Sequence, residues 1–266
     1  MSLACPSDFV RKADQRVKPH TQHPHIQREQ AMNIVITNLS GNVGKTTLRK
    51  HLFGPLLAGS RQVSIEDMND GDGPVSVELS AREFRQLAVE LNTAEDDHHA
   101  VIDIGSSNLR EALEHFRALR STRELIDLWA IPCVPTIKQR NDTVSTIKLL
   151  ADMGVPTSNI VVIPSQVADV RDVEATLKPL MDSAFEIGYR VCPTPVMFND
   201  VFQMLKDRSA NVFDIASNAT DFRAEARRHR HDPGALEDIG RAMVARDLAA
   251  DACKNLRAVF AQLELH

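Results

Sequence analysis

The sequence predicts an α/β fold: a mostly parallel twisted sheet flanked by helices, with a helical segment at the C-terminus. Three observations point there. From Met32 onward, short apolar runs alternate with stretches of helical period, the pattern of β–α–β units. One of these runs, "AVIDIG" (100–105), is almost wholly apolar, as in strands covered on both faces. Between the first run and the first helix lies "SGNVGKTT" (40–47), a glycine-bearing turn of the kind that presents a helix N-terminus to an anion.

Taken in order, "MNIVITN" (32–38) reads as a buried strand and 46–57 as a helix. "QVSIED" (62–67) is a second, weaker strand. Ser80 and Glu83 form a capping box, and Phe84, Leu87, Ala88 and Leu91 share the face of the helix that follows. After the strand in "AVIDIG", Asn108 and Glu111 open another helix with Leu109, Leu113 and Phe116 on one side. "LIDLWAIPCV", a helix over 141–153 and "NIVVIPS" continue the alternation. Beyond Gly188 the pattern loosens. Residues 223–232, "RAEARRHRHD", are locally basic and read as a solvated helix end. A last helix over 235–264 puts Leu236, Ile239, Met243, Leu248, Ala252, Leu256, Val259 and Leu263 roughly on one face.

Residues 1–31 are polar and carry His20, His23 and His25. Their composition predicts a disordered leader. Met32 would then be the natural start of one domain spanning 32–266, with 235–264 as its C-terminal helical segment.

Composition narrows the function. A 266-residue chain with 43% hydrophobic residues can bury a full core. Its net charge of −5 argues against a dedicated nucleic-acid binder, and one Trp and one Tyr do not suggest base-stacking platforms. Cys5, Cys133, Cys192 and Cys253 are far apart, with no C-x-x-C. Neither a zinc site nor a disulfide framework is expected, and a reducing cytoplasm fits. No apolar run reaches the ~18 residues of a membrane span.

The chemistry concentrates in the loop. The spacing G-x-x-x-x-G-K-[ST] asks for a glycine where Leu39 stands. The remaining parts are nonetheless suited to nucleotide phosphates. Gly41 and Gly44 allow the backbone to wrap an anion. Ser40, Asn42 and Val43 complete the wrap. Lys45 can reach β- and γ-phosphates, Thr46 can offer its hydroxyl to Mg²⁺, and Thr47 falls near the α-phosphate. Asp103, ending an apolar strand, stands where a carboxylate orders the Mg²⁺ water. Gly105 can present its backbone N–H to the γ-phosphate. A third acidic element, "EDMNDGDG" (66–73), follows the second strand and can position water or Mg²⁺; it contains Asp67 and Asn69.

These pieces resemble the ParA/MinD class of P-loop ATPases, which carries K-G-G-x-G-K-[ST]-T and does not require the early glycine. Within that class the chain is most similar to StbB and TraL-like proteins of conjugative plasmids, which show S-G-N-x-G-K-[ST]-T, V-D-x-G-x-S-N and P-V-x-P-T-x-K-Q. Here the matching stretches are "SGNVGKTT", "VIDIGSSN" and "IPCVPTIKQRNDTVSTIKLL". "VFDIASNATDF" (212–222) is similar to the C-terminal part of ParA-type domains. The resemblance covers roughly 32–222.

It implies an ATP/ADP-binding, Mg²⁺-dependent switch in plasmid stability, partition or conjugal transfer, cytoplasmic and plasmid-encoded, with a small DNA-binding partner. It also implies roles. Gly41, Gly44, Lys45, Thr46 and Thr47 hold phosphates and magnesium, and Asp103 orders the Mg²⁺ water. Asp67 and Asn69 lie where the class activates the attacking water. Asn69 is an amide where the class has a carboxylate, so slow hydrolysis is implied. Pro164 and Ser165 stand where the class often has an asparagine that reads adenine. Asn42 replaces a glycine. Ser40 replaces the lysine that crosses a nucleotide-sandwiched dimer, so at most a weak homodimer is implied, with Lys138 and Arg140 as candidate substitute cations. Two other readings stay open on the residues alone: a metabolic enzyme on the same scaffold, such as a dethiobiotin-synthetase-like ligase or small-molecule kinase, and a nucleotide-binding adaptor without hydrolysis.

Overall fold

The computed structural model describes residues 32–65, 81–94, 98–169 and 171–265. The leader 1–31, the acidic stretch 66–73 with Asp67 and Asn69, and Ser80 of the anticipated capping box lie outside the described residues.

Among the described residues the strands are β1 (Asn33–Thr37), β2 (Arg61–Ile65), β3 (Ala100–Ile104), β4 (Leu128–Cys133), β5 (Ile160–Pro164) and β6 (Arg190–Val191). They form one sheet in the order β2-β3-β1-β4-β5-β6, with every pairing parallel. All residues of β3, β4 and β5 are buried, as their continuous apolar runs require. β2, the weakest run in the sequence, lies at the sheet edge and is largely exposed.

The helices are α1 (Lys45–Thr47), α2 (Gly54–Leu56), α3 (Ala81–Thr93), α4 (Leu109–Ala118), α5 (Arg120–Glu124), α6 (Ile137–Asp152), α7 (Arg171–Ile187), α8 (Asp200–Met204), α9 (Val212–Ala216), α10 (Phe222–Arg228) and α11 (Pro233–Gln262). Alternation along the strands splits the core in two. Val35 and Ile102 face a layer built from α3, α4, α6 and α7, where Phe116 meets Phe84 and Trp129 edge-on at 4.9 and 5.2 Å between ring centroids. Such aromatic pairs add about 0.5–1.5 kcal/mol beyond their buried area. Ile34, Ile36 and Val101 face the other layer, where Leu48, Leu52 and Phe53 pack with Val201, Val212 and the α11 residues Ala252, Leu256 and Val259.

Several boundaries differ from expectation, each for a local reason. The helix expected over 46–57 is α1 and α2 joined by a π-helical turn, Leu48–Phe53. Pro55 has no N–H to donate, and its ring would strike the carbonyl one α-turn back. The turn widens instead, and Gly54 donates its N–H to the Arg49 carbonyl. The helix expected at 141 starts at Ile137, because the Thr136 side chain accepts from the Gln139 N–H and caps it. Asn108 precedes α4, yet its side chain makes no capping bond to the helix; its Oδ1 accepts from the Ser107 hydroxyl instead. The last helix begins at Pro233, after the Asp232 cap. Its C-terminal half buries Ala249, Ala252, Cys253, Leu256 and Val259, whereas Leu236, Ile239 and Met243 are only half-buried. Among the described residues no helix is long and apolar enough to cross a membrane.

Candidate functional site

The loop leaves the C-terminal end of β1, at the centre of the sheet. Two of its residues take left-handed backbone conformations, Asn42 at φ 56 and Gly44 at φ 98. Asparagine tolerates that region better than most residues, so it can hold a turn that otherwise favours glycine. At Gly44 a Cβ would also come within 3.6 Å of the Ser165 side chain. Lys45 is buried, and its Nζ donates to the Ser40 carbonyl at 2.9 Å across the turn. Gln166 Nε2 donates to the Asn42 carbonyl at 2.7 Å and props the outer side.

The first half of the loop is fastened to α6. Asn38 Nδ2 donates to the Thr143 hydroxyl and to the Pro132 carbonyl, both at 2.9 Å. The Leu39 N–H donates to Thr146 Oγ1 at 3.0 Å, and the Ser40 N–H to Asn38 Oδ1 at 2.8 Å. The Ser40 hydroxyl donates to the Asp142 carboxylate. Ser40 is therefore buried against its own chain. The position that a glycine fills in the general spacing, Leu39, packs its side chain against the core.

Asp103 lies opposite the loop. In the register of β1 and β3 it pairs with Ile36, on the face that carries α1. The Thr46 hydroxyl donates to its Oδ2 at 3.2 Å, and the Arg49 guanidinium stands 3.5 Å from the same oxygen. A hydroxyl beside a fully buried carboxylate is a set of hard oxygen donors that fits Mg²⁺. Among the described residues no three His, Cys, Asp or Glu side chains converge, so an ion held here would complete its shell with phosphate and water.

Loop, strand end and two more segments enclose one cavity of about 520 Å³. Gly41–Thr47 form one wall and Gly105, Ser106 and Ser107 another. Gly105 sits at the wall as expected, but its N–H donates to the Ile65 carbonyl at 2.7 Å. That wall also carries the Ser106 hydroxyl, whereas the Ser107 hydroxyl donates to Asn108 Oδ1. Ser165 lines the cavity, with its hydroxyl turned back to the Ile163 carbonyl. Pro164 does not line it; its carbonyl accepts from the Val196 N–H.

The remaining wall was not anticipated. Lys50 and His51 reach it from the π-helical turn, and Val196–Asn199, Phe202, Gln203 and Lys206 come from the segment around α8. Lys50 Nζ donates to the Leu205 carbonyl at 2.7 Å and also to that of Arg208, tying the two sides together. Burial lowers the Lys50 pKa, with Arg49 adding to the effect and Asp207 opposing it. In the sequence this wall has no motif; residues 50 and 51 fall in the helix read over 46–57, with no role given to them.

Sheet order, the turn from β1 into α1 and the carboxylate near the end of β3 define a P-loop α/β fold. No protein-family model and no curated protein matches the chain. Among solved structures, it is similar to the cell division protein MinD of Aquifex aeolicus, with 16% identity, 83% of this chain and 98% of that chain covered, and a TM-score of 0.49. The MinC:MinD complex of the same organism gives 17% identity, 69% and 88% coverage and a TM-score of 0.48. An ATP complex of a Cyanothece McdA variant gives 16%, 81% and 97%, and 0.46. Likeness at this level decides neither ligand nor partner.

Proposed function

We propose that the protein is an ATP-binding molecular switch of the ParA/MinD type, slow to hydrolyse its nucleotide, that serves plasmid stability, partition or conjugative DNA transfer beside a small DNA-binding partner protein. The observation that carries the nucleotide reading is the cradle itself: a loop with left-handed Asn42 and Gly44, a buried lysine at its close, and the Thr46–Asp103 pair across from it. The plasmid role rests on "SGNVGKTT", "VIDIGSSN" and "IPCVPTIKQ" occurring in that order.

In this reading the loop N–H groups and the N-terminus of α1 meet the phosphates. Lys45 exchanges the Ser40 carbonyl for phosphate oxygens. Thr46 would hold Mg²⁺ and Asp103 a water on that ion, which when bound offsets phosphate charge. The bond from Gly105 N–H to the Ile65 carbonyl ties the end of β3 to the residue that precedes 66–73. Rearrangement of 105–107 around the terminal phosphate would thus reach Ile65 at the end of β2, a shift of the kind that other nucleotide switches use.

Calorimetry with Mg-ATP tests the site. Lys45→Ala is expected to abolish measurable binding while melting temperature and circular dichroism stay as in the parent; equal affinity in the two proteins overturns the assignment. Hydrolysis is tested separately. Basal turnover should lie well below the ~1–100 s⁻¹ of kinases, and Asn69→Asp should raise it by restoring a carboxylate. Fast turnover in the parent, indifferent to position 69, would remove slow hydrolysis from the proposal.

A further inference from the structure

The phosphate-binding reading accounts for only part of the cavity. Once phosphates lie on Gly41–Thr47, the base of a nucleotide must occupy the wall between Ser165 and α8. From the chemistry of that wall we infer that Phe198 stacks on the nucleobase. The inference rests on the phosphate reading of the loop and deepens it.

Among the described residues Phe185 and Phe198 are the strongly exposed phenylalanines, and of the two Phe198 lines the cavity. Its ring is 60% exposed although it lines the cavity. Exposure of that size removes little apolar surface from water, so the ring is not there for the core. Its backbone is nonetheless held at several points. The Phe198 N–H donates to the Val167 carbonyl at 2.8 Å, Val196 N–H to Pro164 at 2.8 Å, and Val167 N–H to Val196 at 3.2 Å. Asn255, from α11, accepts from the Met197 N–H and donates to the Pro195 carbonyl, both at 2.9 Å. A flat apolar ring is thus carried on a fixed segment at the open side of the cavity. Every nucleobase has a π-face that can use such a ring.

Several polar groups near that ring are engaged elsewhere, while Gln203 and Lys206 also line the cavity. Asn199 accepts from the Val201 N–H at 3.0 Å and donates to the Leu248 carbonyl at 3.2 Å. His51 Nδ1 accepts from the Val212 N–H at 3.3 Å. Gln166 and Ser165 bond carbonyls of Asn42 and Ile163. The N–H groups of Val196, Met197 and Phe198 donate within the chain, as above. What Phe198 offers is a ring face, which any base can use.

The test compares Mg-ATP, Mg-GTP and inorganic tripolyphosphate by calorimetry on the full chain, with Phe198→Ala and Phe198→Trp. The parent should bind both ATP and GTP. Phe198→Ala should weaken both by roughly tenfold or more, within the range measured for base–aromatic stacking, and leave tripolyphosphate unchanged. Phe198→Trp should restore affinity, and its added indole fluorescence should respond to ATP and GTP but not to tripolyphosphate. Unchanged ATP affinity in Phe198→Ala, or equal weakening of ATP and tripolyphosphate, overturns the stacking role. Failure of the parent to bind even tripolyphosphate would refute the phosphate reading itself, and this inference with it.

Discussion

His51 is a single side chain whose cost to the fold depends on pH. It is 3% exposed, accepts from the Val212 N–H and lies with its ring 5.4 Å from that of Phe202. Burial, and then the neighbouring Lys50 and Arg49 charges, push its pKa from 6.5 down to about 4, with Asp214 pulling weakly the other way. The folded chain therefore keeps His51 neutral where the unfolded chain would take up a proton. Above pH ~6.5 neither state is protonated and there is no penalty. As pH falls from about 6.5 towards 4, unfolding binds one more proton, and stability drops by up to about 3 kcal/mol. Urea titrations at pH 7 and pH 4.5 should show that drop shrinking in His51→Gln, which keeps an acceptor for Val212 but cannot charge. An identical loss in parent and variant would mean that His51 does not carry it.

At the scale of elements, the helix that follows the loop sets two effects of glycine against each other. Replacing a helical glycine by alanine usually gains up to about 1 kcal/mol. At Gly54, however, an ideal Cβ would lie 2.9 Å from the Arg49 carbonyl, the acceptor of its own widened turn. Gly54→Ala should therefore destabilise, by about 1–3 kcal/mol as overpacking does, and thermal or urea unfolding gives the sign. A stabilised variant would show that the π-helical turn is not sterically fixed. This turn also marks where sequence reading stopped. The glycine–lysine spacing and the apolar runs were legible because loop and strand are encoded by neighbours in the chain. The widened turn was not, since Gly54 and Pro55 read equally well as an ordinary helix end. Nor was the start of α6, because Thr136 followed what read as the tail of a strand. The short helices α8, α9 and α10 carry too few residues for a periodic signal. The base-side wall comes from residues some 150 positions from the loop with no motif of its own, so only the folded chain assembles it.

For the whole molecule, the sequence predicts a parallel sheet, but strand order is a property of the chain's path and no local pattern reveals it. The same holds for Ser40. By sequence it is a short substitute for a lysine that bridges two copies of related proteins. In the fold it is buried, with its hydroxyl on Asp142. Two such molecules facing each other would lack the cation that offsets paired triphosphates. Sedimentation with ADP and with a non-hydrolysable ATP analogue should show no ATP-dependent dimer. Ser40→Lys should not create one either, because the new ammonium would meet Asp142 of its own chain first. An ATP-dependent dimer in the parent would overturn this and direct attention to Lys138 and Arg140, on the first turns of α6.

The rungs between α6 and the loop also bear on time. Asn38, Leu39 and Ser40 are held by Thr143, Thr146 and Asp142 before any ligand arrives. A nucleotide meeting this surface finds half of its cradle already in place and need not wait for that half to gather. Its arrival is then set by diffusion and by the field of Lys45, Lys50 and Lys206 within an otherwise acidic chain.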